Sequence, residues 1–259
     1  MPSNEKLLQA IGDRFLAELR HHLAGWQRKA AEDFSDESFQ EEQRLLRSDP
    51  VYSAFGFGTP QYALIRLMGR VSISIGRRLG EIYDKIPRFA AQERFHLASE
   101  IVAPRIGGEL ELDVCLPLAD LIAADRKHVI QATNTHLGAE LKTGLGIEIR
   151  YNFNPNDSAR LRKDVHMAQL LRGLGYTGVY LIFATISPRE EAIARLKRAG
   201  WRFLVGDQAS AFITDLIGLD VGKILAVPEV QKEITKEVKA LMGVIYKSKA
   251  AQKTFAETS

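Results

Sequence analysis

The feature that most constrains this chain is a stretch from residue 109 to residue 183 in which charged side chains interrupt strand-like apolar segments. It contains ELELDVCL, then GAELKTGLGIEIRYNFNPNDSARLRKD, then an apolar helical pattern and the run GVYLIF. A carboxylate in a half-buried sheet must be paired, protonated or bound to a cation, because an isolated charge is costly to take out of water. Asp113, Glu140, Lys142, Glu148 and Arg150 are therefore the residues to test for a shared site.

In ELELDVCL, Leu110, Leu112, Val114 and Leu116 alternate with Glu109, Glu111, Asp113 and Cys115, the pattern of a strand. Glu140, Lys142, Glu148 and Arg150 share one parity, so they project to one face if a strand runs straight through Gly144 and Gly146. Glycines there equally permit a hairpin or a bulge. NPNDS at 154–158 reads as a turn, SARLRKDVHMAQLLRGLG as a helix closing on Gly173 or Gly175, and TGVYLIFAT as a buried strand. Strand, helix, apolar strand predicts a crossover between parallel strands. HVIQATNT, 128–135, is expected as another strand, and 117–126 as a short helix with Pro117 in its first turn. Beyond the crossover, the pattern predicts a helix over 187–198, a strand over 200–205 and a helix over 208–216.

The flanks read as helical. Leu7, Leu8, Ile11, Phe15, Leu19, Leu23 and Trp26 recur at three- and four-residue steps, predicting an amphipathic helix over 4–29, and a second helix follows from Ser35 to Asp49-Pro50. YSAFGFGTP, 52–60, is expected as a loop that either touches a partner or is pinned to the core by Phe55 and Phe57. From 61 to 95 the helical spacing returns, with Arg66, Arg70, Arg77, Arg78 and Lys85 as a basic face able to track phosphates. Gly69, Gly76 and Gly80 predict a break or a close helix approach there. The lysine-rich tail over 228–251 is amphipathic. The expected fold class is α/β, a mixed central sheet flanked by helices, in a single domain: a helical N-terminal extension (1–58), an α/β core (59–220) and a helical C-terminal extension (221–259).

Composition narrows the chemistry. The single cysteine, Cys115, excludes a disulfide within one chain and a cysteine-rich zinc site. The histidines, at 21, 22, 96, 128, 136 and 166, lack metal-ligand spacing, and neither a phosphate loop nor a serine nucleophile elbow is present. No apolar run approaches the ~18 residues of a membrane span, and the N-terminus lacks signal-peptide form, so the cytoplasm is the expected compartment. A net charge of +3, from 35 basic and 32 acidic residues, leaves the placement of charges to decide the partner.

Carboxylates on two neighbouring strands suit Mg²⁺, a hard cation that leaves positions for water and a phosphate oxygen, and a nearby base can orient that water. Two acids and a base in this order suit phosphodiester hydrolysis. These residues resemble the PD-(D/E)xK nucleases, and among them the type II restriction endonucleases. The resemblance covers roughly 72–185: a helix carrying Glu81 (GRRLGEIYDKI), a strand carrying Asp113, an acid-x-base strand, a helix and an apolar strand. Leu112 stands where the family has a proline, and the acid-x-base pair occurs twice. Glu140-Leu141-Lys142 matches in residue type, Glu148-Ile149-Arg150 in position.

The resemblance implies a restriction-endonuclease-like core, Mg²⁺ held by Asp113 with Glu148 or Glu140, and water positioned by Lys142 or Arg150, with Glu81 as an accessory acid. It also implies double-stranded DNA as substrate and a homodimer suited to a palindromic site. Asn152, Asn154, Asn156, Ser158, Arg160, Arg162 and Lys163, around the start of the helix after the second pair, are the expected DNA contacts. A nuclease-like protein that binds DNA without cutting it is the alternative.

Overall fold

In the computed structural model, residues 4–108, 110–151, 158–185 and 190–256 are described. The chain begins with helices α1 (Asn4–Asp33), α2 (Asp36–Ser48), α3 (Pro50–Ala54), α4 (Pro60–Tyr83), α5 (Lys85–Phe95) and the single turn α6 (Ser99–Val102). Strands β1 (Arg105–Ile106), β2 (Leu110–Glu111) and β3 (Val114–Pro117) follow, then α7 (Ala123–Leu137), β4 (Gly144–Arg150), α8 (Ser158–Gly173) and β5 (Tyr176–Ile182). The chain continues through α9 (Glu190–Ala199), β6 (Arg202–Val205), α10 (Asp207–Ile217), α11 (Val221–Leu225), α12 (Pro228–Lys247) and α13 (Lys249–Ala256). These form two units, residues 1–15 with 80–226 and residues 16–79 with 227–259. The unit limits fall inside α1, inside α4 and between α11 and α12.

The first unit holds a four-stranded mixed sheet in the order β3-β4-β5-β6. β3 runs antiparallel to β4, whereas β4, β5 and β6 are parallel. The β4-α8-β5 crossover expected from the sequence is present, so the α/β class with a mixed sheet flanked by helices holds. Leu145, Ile147, Ile149, Val179 and Leu181 are fully buried, and so is Tyr180 of the opposite parity. Both faces of the sheet are thus covered, as parallel strands require. Beneath α8, Met167 and Leu171 pack with Leu112, Tyr180, Ile182, Leu196 and Trp201. That packing explains the glycines of β4: a Cβ on Gly146 would stand 2.7 Å from Leu171 Cδ2. β4 therefore starts at Gly144 and passes Gly146 without a bulge, so it does not reach back to Glu140 and Lys142, and glycine at 146 lets the helix approach the strand closely.

Several expected elements differ. Residues 128–135 are helical, within α7: Val129, Ala132 and Thr133 are buried at a helical step, and Thr133 Oγ1 donates to the Val129 carbonyl at 2.8 Å. Pro117 ends β3 rather than opening a helix. ELELDVCL is broken at Leu112-Asp113 into β2, which pairs with β1, and β3, which pairs with β4. α4 continues through Gly69, Gly76 and Gly80, where an added Cβ would meet no atom within 4 Å. The break comes at Asp84, because Pro87 lacks the N–H that would bond the Tyr83 carbonyl and its ring clashes there.

The second unit is helical, with α2, α3, α12 and α13 packed with residues 16–33 of α1 and 60–79 of α4 around Phe34, Phe39, Leu46, Leu64, Leu67 and Leu241. The basic face expected on α4 is partly engaged: Arg66 and Arg70 bind the buried Glu42 at 3.0 and 2.5 Å. The expected loop begins with α3. Its Phe55 and Phe57 are not pinned in the core; Phe55 is 71% exposed, and Phe57 stacks on Tyr62 with ring centres 4.4 Å apart.

Candidate functional site

In the β3–β4 register Val114 lies opposite Ile147, which sets Asp113 beside the end of β4 that carries Glu148 and Arg150. There the ladder gives way to a side chain: Asp113 Oδ2 accepts from the Ile149 backbone N–H at 2.8 Å and from Arg150 Nη1 at 3.1 Å. Glu148 and Arg150 project from the same face of β4 as Gly146, under α8. Arg150 Nη2 donates to Glu148 Oε1, and Nη1 also reaches the Ile149 carbonyl. The same Nη2 lies 3.7 Å from Oδ1 of Asp164, a buried residue of α8. Tyr180 donates its hydroxyl to Asp164 Oδ2 at 2.9 Å, and Trp201 Nε1 donates to the Asp164 carbonyl at 2.7 Å. One buried guanidinium thus binds two carboxylates, those of Asp113 and Glu148, with a third, that of Asp164, close by.

Two more residues complete the cluster. Arg88 of α5 donates from Nε to the Asp113 carbonyl at 3.1 Å and from Nη1 to Glu111 at 2.7 Å, with Nη2 3.6 Å from Asp113 Oδ1. Asp84, at the α4–α5 break, feels the charges of Asp113, Arg150 and Arg160. Burial pushes its carboxyl up to about 7, with the Asp113 charge adding to the effect and Arg150 and Arg160 opposing it. Burial likewise raises Glu148, reinforced by Asp113 and opposed by Arg150. Asp164 is also raised, first by burial. Burial disfavours the charge on Arg150, but Glu148, Tyr180, Asp113 and Asp164 together hold it firmly protonated. The cluster therefore gathers several buried carboxyls whose ionisation burial disfavours and the neighbouring arginines favour.

The cluster also leaves polar atoms unsatisfied on both its acids and its arginine. Glu148 Oε2, Asp84 Oδ1 and Arg150 Nε are buried without a hydrogen-bond partner. The pair on Glu42 is the opposite arrangement, two arginines on one acid. Among the described residues no three His, Cys, Asp or Glu side chains stand in metal-ligating geometry. The donor chemistry nevertheless fits a hard divalent cation: carboxylate oxygens from the break before β3 and from β4, one of them an orphan.

Glu148, Arg150 and Asp164 line a cleft of about 270 Å³ together with Glu111, Arg160 and Lys163. Arg160 and Lys163 are exposed at its rim, and Arg160 Nη2 lies 3.9 Å from Glu148 Oε1. Arg162 is also exposed on α8, and Ser158 begins that helix. Asn152, Asn154 and Asn156 lie outside the described residues.

Asp113, Glu148 and Arg150 meet; Glu140 and Lys142 do not join them. Both are exposed in the connection before Gly144, and the strand from Gly144 to Arg150 is ~20 Å long. Glu81 is exposed on α4, and Asp84 is the acid that this helix end brings to the cluster. Asp84 carried a legible signal, the helix break that Pro87 imposes. Asp164 sits at a buried position of α8 among polar neighbours, so only its burial distinguishes it. Arg88 and Tyr180 gave no local signal.

The fold and site define a mixed α/β protein with an acidic, arginine-centred cleft at one end of an antiparallel strand pair. No family model, curated protein or solved structure matches the chain. Among the described residues no helix is long and apolar enough to cross a membrane.

Proposed function

We propose that this chain is a Mg²⁺-dependent endonuclease of the type II restriction kind, acting on double-stranded DNA in the cytoplasm as a homodimer. The observation that carries the reading is the approach of Asp113, at the break just before β3, to Glu148 of the antiparallel neighbour β4, with Arg150 bridging the two and a basic helix start beside them. The antiparallel pair followed by a parallel crossover supports a restriction-endonuclease-like core, with α7 inserted between β3 and β4.

Asp113 and Glu148 would hold Mg²⁺, and Asp84 adds a third carboxylate to the same field. A bound Mg²⁺ supplies an activated water and offsets charge on the phosphate. Arg150, kept protonated by its neighbours, would help to position the attacking water. Arg160, Arg162 and Lys163 would contact phosphates flanking the cleft and contribute salt-dependent affinity.

The direct experiment incubates the purified chain with mixed-sequence plasmid and Mg²⁺ over a range of salt. Discrete fragments that disappear with Asp113→Ala are expected. Uncut plasmid under every condition would reject the enzyme. One observation favours a second reading, a DNA-binding protein without cleavage: Arg150 already pairs with both Asp113 and Glu148. That protein would retain DNA in a salt-sensitive way and leave it intact with Mg²⁺.

A further inference from the structure

We infer that Asp164 is the acceptor to which the Arg150 guanidinium moves when a divalent cation takes Asp113 and Glu148, so that Arg150 is a latch over these two acids and Asp164 a positioning residue for its release. The inference rests on the reading of Asp113 and Glu148 as cation-holding residues. As placed, Arg150 occupies Oδ2 of Asp113 and Oε1 of Glu148, so it competes with any cation for the same oxygens. A buried guanidinium displaced from them needs another anion, because leaving it unpaired costs several kcal/mol.

Asp164 is the anion within reach. Its Oδ1 is 3.7 Å from Nη2, just beyond hydrogen-bond range, so a shift of about 1 Å closes the contact. Its other oxygen is held by the Tyr180 hydroxyl at 2.9 Å and its carbonyl by Trp201 at 2.7 Å, so the acceptor is fixed in place. The Tyr180 ring lies under the guanidinium, 5.6 Å from Cζ to the ring centre, and offers its face to the cation. Arg150 Nε is buried and unpaired, so the pose on Asp113 and Glu148 does not satisfy the whole group. A purely structural arginine on one acid, or two on one as at Glu42, would have no use for a third carboxylate held this way.

The test is a cycle of Mn²⁺ affinities, read by electron paramagnetic resonance on the full chain, for the parent, Asp164→Asn, Arg150→Gln and the double variant. Asp164→Asn should weaken Mn²⁺ about tenfold or more, the usual cost of losing a residue that orients metal ligands. In the Arg150→Gln background the same change should have less than about a twofold effect, because no guanidinium remains to be relocated. Equal weakening in both backgrounds would make Asp164 a simple nearby charge and overturn the inference. Asp113→Asn and Glu148→Gln test the underlying reading separately: if neither alters Mn²⁺ affinity, the cation site itself is wrong and the latch falls with it. Should an Arg150 variant fail to fold, a crystal of the parent soaked in Mn²⁺ decides the matter. Arg150 hydrogen-bonded to Asp164 is the expected result, and Arg150 still on Glu148 beside a bound Mn²⁺ overturns it.

Discussion

Replacing Arg150 with methionine tests whether the cluster is a charge-compensated site. Methionine keeps much of the stem packed against Tyr180 and removes the one buried cation shared by Asp113, Glu148 and Asp164. Removing one partner of a buried ion pair costs ~3–5 kcal/mol, and here the acids left behind are already raised by burial. The loss must depend on pH. An acid whose folded pKa lies above its unfolded value binds more protons in the folded state, so stability falls as pH rises between the two values. Without Arg150 this window widens upward, at ~1.4 kcal/mol per unit of displacement. The variant should therefore be weaker by about 3–5 kcal/mol at pH 8 and by roughly 1 kcal/mol at pH 4, where about half of the unfolded carboxyls are themselves protonated. Urea unfolding followed by Trp201 fluorescence in a Trp26→Phe background reports on this unit, since Trp201 donates to the Asp164 carbonyl. A loss equal at the two pH values, or below about 1 kcal/mol at pH 8, would refute the claim that Arg150 compensates these acids.

Asp84→Asn should stabilise the protein at pH 8 relative to its effect at pH 5, because the acid it replaces is pushed up to about 7 and costs stability as it ionises; parallel urea curves at both pH values check this. Gly146→Ala should destabilise by ~1–3 kcal/mol through contact with Leu171, whereas Gly69→Ala, with open space around its Cβ, should stabilise by ~0.5–1 kcal/mol; thermal unfolding of the two variants shows whether the signs are opposite. Cys115 is buried with its thiol pushed up to about 12, so it should react with a thiol reagent at pH 8 only as fast as the fold opens, and a rate insensitive to denaturant would contradict that burial.

The parts legible in the sequence were those with strong local periodicity. The stripe from Leu7 to Trp26 specified α1, and the order of GLGIEIR, SARLRKDVHMAQLLRG and YTGVYLI specified the crossover that brings Glu148 under α8. HVIQATNT misled because Val, Ile and Thr favour strands, while the buried residues Val129, Ala132 and Thr133 follow a helical step set by tertiary packing. ELELDVCL alternates across a break that only strand pairing reveals, since Glu111 and Val114 pair with different partners. The two acid-x-base pairs were indistinguishable by residue type, and β4's start at Gly144 separates them. Asp84, Arg88, Asp164 and Tyr180 reach the cluster from other elements, and no local pattern encodes such encounters.

The proposed nuclease requires Asp113 and Glu148 to hold the metal for DNA cleavage, with Glu140 and Lys142 standing apart from it. Single-turnover cleavage of a plasmid that the parent cuts, with Mg²⁺ saturating, measures this directly when Glu148→Gln is compared with Glu140→Gln and Lys142→Met. Loss of at least about a hundredfold in rate for Glu148→Gln, with the other two within about threefold of the parent, is the expected result. The reverse order, Glu140→Gln and Lys142→Met inactive while Glu148→Gln still cuts, would contradict it.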